Sequence, residues 1–121
     1  MKFQLAMLAG LGGFLGSMLR FGVASFIPFD PARFAWATFT VNMLGCLLIG
    51  LLSIWLQGEG LRVFLLVGIL GGFTTFSGFG NEVYRYWLAG ETGKAITYVI
   101  SSVLVGVLLV WIGRKFAEVW A

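Results

Sequence analysis

The sequence predicts an all-α membrane protein of four transmembrane helices. Three observations carry that assignment: 60% of the residues are apolar, only 11% are charged, and four long apolar runs are separated by short polar connections. A mean hydropathy of +0.98 leaves too little polar surface to clothe a water-soluble globule. A hydrocarbon core about 30 Å thick takes roughly 20 helical residues per crossing, so the chain supplies four crossings with short loops. It reads as a single transmembrane domain over residues 1–121, with no extramembrane domain. Four thin helices bury little against each other, which makes assembly with a second copy the expectation.

The first run, residues 3–27, ends at Pro28-Phe29-Asp30-Pro31, where two prolines remove donors and disfavour helix in the residues before them. It continues without a convincing small-residue cleavage site, so it reads as a retained helix rather than a leader. The second run, residues 34–56, stops at Gln57-Gly58-Glu59-Gly60, a connection suited to antiparallel neighbours. The third, residues 61–88, closes at Ala89-Gly90-Glu91-Thr92-Gly93, and residues 95–116 make the fourth.

Four crossings return both termini to one side. On that side lie Lys2, Arg62, Arg114 and Lys115, and on the other Arg20, Arg33, Arg85 and Lys94, with Arg20 assigned to the nearer end of its helix. Orientation follows an excess of Lys and Arg on the cytoplasmic side, so a balanced chain carries no strong instruction. Dual topology is the resulting expectation, against the plainer alternative of one weakly biased orientation. Two oppositely inserted copies pair about an axis in the membrane plane, giving an antiparallel homodimer.

The chemistry-bearing residues exclude more than they suggest. There is no histidine, and the single Cys46 lies mid-span in apolar sequence, where an inert thiol is the ordinary meaning. Five acids placed mostly at span ends leave little from which to build a transition-metal or nucleophilic site, so the chain is not expected to be an enzyme.

Polar residues inside spans are costly and therefore informative. In the second span Thr38 and Asn42 share a helical face with Gly45, Cys46 and Ile49, while Thr40 lies off that stripe. Asn42 reads equally as interhelical glue or as a ligand-facing amide. Tyr98 and Ser102 form a second stripe that Gly106 continues, and glue or pore lining again both fit. The third span packs five glycines and three hydroxyls between Gly68 and Gly80, so a regular helix is not expected there. Carbonyls freed by a break must face a cavity, protein or an ion. Phe76 and Phe79, three apart, present to one face, and a phenyl ring has a positive edge that meets an anion without holding it tightly. The first span carries Gly12-x-x-x-Gly16 and Gly13-x-x-x-Ser17, a close-approach face, followed by Arg20. Arg20 reads as a snorkelling anchor or as a source of positive potential in a vestibule.

Three motifs then agree: Gly12-Gly13-Phe14-Leu15-Gly16-Ser17-Met18-Leu19-Arg20, Thr38-Phe39-Thr40-Val41-Asn42-Met43-Leu44-Gly45, and Gly71-Gly72-Phe73-Thr74-Thr75-Phe76-Ser77-Gly78-Phe79. With them the whole chain resembles the Fluc, or CrcB-type, family of small bacterial fluoride channels. The resemblance implies a multi-pass protein of the bacterial cytoplasmic membrane, an antiparallel dual-topology homodimer, a third helix broken at mid-membrane, two fluoride pores and a structural sodium ion on the two-fold axis. By position it implies that the Gly71 and Thr74 carbonyls hold the sodium, that Phe76 and Phe79 line the pore beside Asn42, and that Tyr98, Ser102, Thr40 and Ser77 supply hydroxyls. Arg20 and Glu82 stand where the family carries those residues. Gly78 and Gly106 depart from it, at positions where members carry a side chain or a further hydroxyl.

The implied activity is passive fluoride export, with fluoride and the lipid bilayer as partners and no nucleic acid. A small, strongly hydrated anion needs replacement donors that bind weakly enough to release it, and hydroxyls, an amide and ring edges supply them. A pore free of Lys and Arg between the span ends favours conduction over trapping. A proton-coupled small multidrug exporter is the main rival, but it needs a titratable acid in the membrane and only Glu82 lies near span depth. A non-transporting scaffold subunit is the other, and it leaves the hydroxyl-rich third span without purpose.

Overall fold

A computed structural model describes residues 2–121. Five helices follow one another: α1 (Phe3–Phe26), α2 (Trp36–Trp55), α3 (residues 59–73), α4 (Phe76–Leu88) and α5 (Thr92–Val119), with no strand among the described residues. α1, α2, α5 and the α3–α4 unit Glu59–Leu88 are each long and apolar enough to cross a membrane. α3 is not uniform: Glu59–Arg62 and Gly71–Phe73 are α-helical, while Val63–Leu70 between them winds as a π-helix with i→i+5 pairing.

The helix ends follow local hydrogen bonding more than the limits of the apolar runs. α2 starts at Trp36 rather than at residue 34, because Phe34 is still in the loop, where its carbonyl accepts from the Trp36 N–H at 2.8 Å. The Arg62 guanidinium donates from Nη1 to the Ser53 and Leu56 carbonyls, 2.9 Å each, satisfying the end of α2 and pulling the start of α3 back to Glu59. α5 begins three residues before the apolar run, at Thr92, because the Glu91 carbonyl accepts from Ala95. The loop after α1 is docked on α4: the Tyr86 hydroxyl donates to the Arg33 carbonyl at 2.5 Å, and the Arg85 guanidinium lies 4.5 Å from the Phe29 ring centre.

Two helix pairs make up the bundle. α1 runs along α3, α2 runs along α5, and α4 leans on α5. Close approach in both pairs depends on glycine. A Cβ on Gly12 would stand 2.8 Å from the Gly68 Cα, and one on Gly16 would stand 2.8 Å from the Phe73 nitrogen. Across α2 and α5, Gly50 and Gly113 do the same, against Arg114 N at 3.0 Å and Leu51 N at 3.1 Å. Small residues let backbones meet, which gains dispersion contact where lipid offers no hydrophobic drive. The covered core is aromatic: Phe79, Tyr86 and Tyr98 pack with Ala35 and Ala95. Outward faces carry Phe3, Phe26, Leu104, Val107 and Trp120, an apolar exterior suited to acyl chains.

Candidate functional site

Between α3 and α4 the backbone leaves the helix for two residues. Thr74 (φ −89°, ψ 157°) and Thr75 (φ −149°, ψ 121°) are both extended. In an unbroken helix the Thr75 N–H would bond the Gly71 carbonyl. Here it donates to Asn42 Oδ1 at 2.8 Å, and the Thr75 carbonyl accepts from Asn42 Nδ2 at 3.1 Å. The carboxamide thus pairs with the displaced main chain as another peptide group would. The Thr74 N–H and hydroxyl both donate to the Leu70 carbonyl, at 3.0 and 2.9 Å. Thr75 Oγ1 accepts from the Gly78 N–H at 2.9 Å and caps α4. The Gly71 and Thr74 carbonyls have no hydrogen-bond partner among the described residues.

A groove of about 380 Å³ opens beside this interruption. Asn42, Gly45 and Cys46 of α2 form one wall, Leu70, Gly71 and Thr74 another, and Phe76, Phe79 and Ser102 complete it. The polar side chains among its lining residues are the Asn42 amide, the Thr74, Thr75 and Ser102 hydroxyls and the Cys46 thiol, set in an otherwise apolar lining. Gly45 is required for that shape, because its only near neighbours are Thr74 atoms and a Cβ there would overlap the Thr74 methyl.

The structure therefore brings together Asn42, Phe76, Phe79, Ser102, Gly71 and Thr74. Phe76 and Phe79 have ring centres 5.7 Å apart at 43°, with Phe76 84% exposed on the single protomer and Phe79 only 9%. Behind Phe79 the Tyr98 ring meets it edge-on at 4.8 Å. Tyr98 itself does not reach the groove: it is fully covered and its hydroxyl donates to Glu82 Oε1 at 2.9 Å. Thr40 is exposed away from the groove, half a turn from Asn42. Ser77 is also exposed, its hydroxyl 3.5 Å from Thr75 Oγ1.

Arg20 anchors the first helix to the third. It lies within α1 rather than at its end, and its Nε donates to the Gly72 carbonyl at 3.0 Å, at the end of α3. The carbonyl end of a helix is its negative pole, which favours a guanidinium there. The two glycine departures have packing reasons. A Cβ at Gly106 would lie 3.3 Å from Cys46 Sγ, and one at Gly78 would lie 3.0 Å from Thr75 Oγ1 and Cγ2. Thr75 is not singled out by the sequence, where an N-cap is sought at span ends and not within a span.

Fold and groove together define a small polytopic α-helical membrane protein with a largely apolar groove that carries a few uncharged polar side chains. The family model described as CrcB-like protein, Camphor Resistance (CrcB), matches residues 7–114. The fluoride-specific ion channel FluC of Methylobacillus flagellatus is 43% identical over 119 residues, covering 93% of each chain. A FluC of Thermus thermophilus is 45% identical over 115 residues, covering 90% of each. The FluC of Chlorobium phaeobacteroides is 36% identical over 99% of this chain and 98% of its own. The chain belongs to the CrcB family.

Proposed function

We propose that this protein is a fluoride channel that lets fluoride leave the bacterial cytoplasm passively through the inner membrane. The observation that carries the reading is the agreement between near full-length similarity to fluoride-specific channels and a groove whose donors are neutral. It is not an enzyme on this reading. The inside-negative potential drives the anion out, and no group in the groove is needed for coupling to a second ion.

The working unit in this proposal is an antiparallel homodimer with dual topology, supported by the balanced distribution of Lys and Arg and by the open side of the groove. The interruption at Thr74 and Thr75 then lies at mid-membrane, the depth at which broken helices expose backbone to ions in larger transporters. The pathway passes the Phe76 and Phe79 ring edges and the Asn42 N–H that Thr75 leaves free, and continues past Ser102. Ser77, Thr40 and Tyr98 join it only through the partner's contribution or a side-chain rotation, since they stand outside this protomer's groove. Glu82 holds the Tyr98 hydroxyl and so sets its direction.

This proposal includes a sodium ion held by the carbonyls of Gly71 and Thr74 from two subunits. These oxygens lack hydrogen-bond partners, and neutral carbonyl oxygens suit a hard cation. Such an ion would tie the two interruptions together. Arg20 supports the same element by closing the Gly72 carbonyl.

The test is efflux from liposomes carrying the purified protein, read with a fluoride electrode and with chloride as the paired control. Rapid fluoride release with little chloride release is expected. Absence of fluoride release from folded, assembled protein would overturn the reading.

A further inference from the structure

Resting on the fluoride-channel reading, we propose that Thr75 is a positioning residue of the pathway: its hydroxyl ties the first turn of α4 to the interruption and thereby fixes where the Phe76 and Phe79 rings stand.

Phe76 follows Thr75 directly and is 84% exposed on the single protomer, so contacts within the protomer do little to orient its ring. Its one aromatic neighbour on α4 is Phe79, 5.7 Å away. Within the protomer the ring's direction is therefore set by the backbone it springs from. That backbone is held at three points, all on Thr75: the N–H and carbonyl are paired with Asn42, and Oγ1 accepts from the Gly78 N–H at 2.9 Å. The first two contacts fix Thr75 relative to α2. The third ties the first turn of α4 to that position, because it links the residue before the helix to a residue one turn in, with the longer Thr75 Oγ1–Ser77 Oγ contact of 3.5 Å beside it.

Removing the acceptor leaves the part-buried Gly78 N–H without its protein partner, and the first turn then loosens or rotates. Phe79, one residue beyond Gly78, moves with that turn. Gly78 leaves room for the contact, since a side chain there would begin 3.0 Å from Thr75 Oγ1 and Cγ2. The β-branch of threonine favours the extended φ and ψ at this position, so Thr75→Val keeps the shape and the backbone preference while deleting the acceptor. Thr75→Ser keeps the acceptor and drops only the methyl.

Wild-type, Thr75→Val and Thr75→Ser proteins are reconstituted and compared by fluoride and chloride efflux, with amide hydrogen exchange over residues 76–80. For Thr75→Val, fluoride efflux is expected to fall about tenfold and the fluoride-to-chloride ratio to fall with it, in assembled protein; Thr75→Ser stays within about threefold of wild type. A ratio change rescued by serine separates positioning from simple loss of folded protein. Wild-type behaviour in Thr75→Val, or equal damage in both variants, overturns the proposal. Should the wild-type protein release no fluoride, the channel reading fails by itself and hydrogen exchange decides Thr75: faster exchange in Thr75→Val alone supports the anchor, and unchanged exchange refutes it.

Discussion

Gly45 and Thr74 form the tightest side-chain constraint on the groove, and a double-mutant cycle reads it directly. A Cβ on Gly45 would overlap Thr74 Cγ2, while the next nearest atom, Thr74 Cβ, would be 3.6 Å away. Carbon atoms pack best at about 3.5–4.0 Å, so Gly45→Ala is blocked by one methyl group and by nothing else. Overpacking of this kind costs about 1–3 kcal/mol. Alanine's helix preference over glycine offsets up to about 1 kcal/mol of that in the single mutant. Thr74→Ser removes the offending methyl and keeps the hydroxyl that bonds Leu70, at a cost of about 0.8 kcal/mol for the lost apolar group. The propensity term appears on both sides of the cycle and cancels. The double mutant is therefore expected to be more stable than the sum of the singles by about 1–3 kcal/mol. Denaturation of the protein in mixed micelles measures stability, and fluoride efflux should recover in parallel. Additivity within about 0.5 kcal/mol would show that Thr74 is not what Gly45 accommodates, and would refute the packing account of the groove.

Further outcomes follow from the same structure. Asn42→Leu strands both the N–H and the carbonyl of Thr75, costing about 2–6 kcal/mol at about 1–3 kcal/mol per buried unpaired group, whereas Asn42→Asp keeps the acceptor and loses the donor; melting curves should rank them wild type, Asp, Leu, with fluoride efflux impaired in both variants. Arg20→Gln exchanges a charge-assisted bond to Gly72 for a shorter neutral reach, and thermal unfolding should show a loss of about 1.5–3 kcal/mol. Gly16→Ala forces α1 from α3 where the backbones touch, so a cysteine pair placed across these helices should cross-link less efficiently than in the parent protein. Replacing sodium by potassium during purification should lower the dimer fraction seen by cross-linking, while an unchanged fraction would remove the ion from the account.

The helices are largely legible in the sequence because their signal is simple. Long apolar runs set the number of spans, and of the stripe Thr38, Asn42, Gly45, Cys46 and Ile49 all but Thr38 line one groove wall. Glycine pairs in the first span also announce backbone contact, although not which helix meets them. What stays illegible depends on partners distant in sequence. Nothing local to Arg20 says that its guanidinium ends on the carbonyl of Gly72, and nothing local to Tyr98 says that its hydroxyl turns to Glu82. The π-helical stretch Val63–Leu70 is apolar and unremarkable in composition, so its wider winding leaves no mark there. Thr75 is hidden for a related reason: its neighbours Thr74 and Ser77 carry the same hydroxyl chemistry, and only the extended backbone distinguishes the one that caps a helix.

The most direct measurement is the current through the reconstituted protein at clamped voltage, with fluoride as the only small anion and a fluoride gradient across the bilayer. The account predicts a reversal potential that follows the fluoride gradient and does not move when a proton gradient is imposed. A silent membrane, or a reversal potential that shifts with the proton gradient, would contradict passive fluoride conduction.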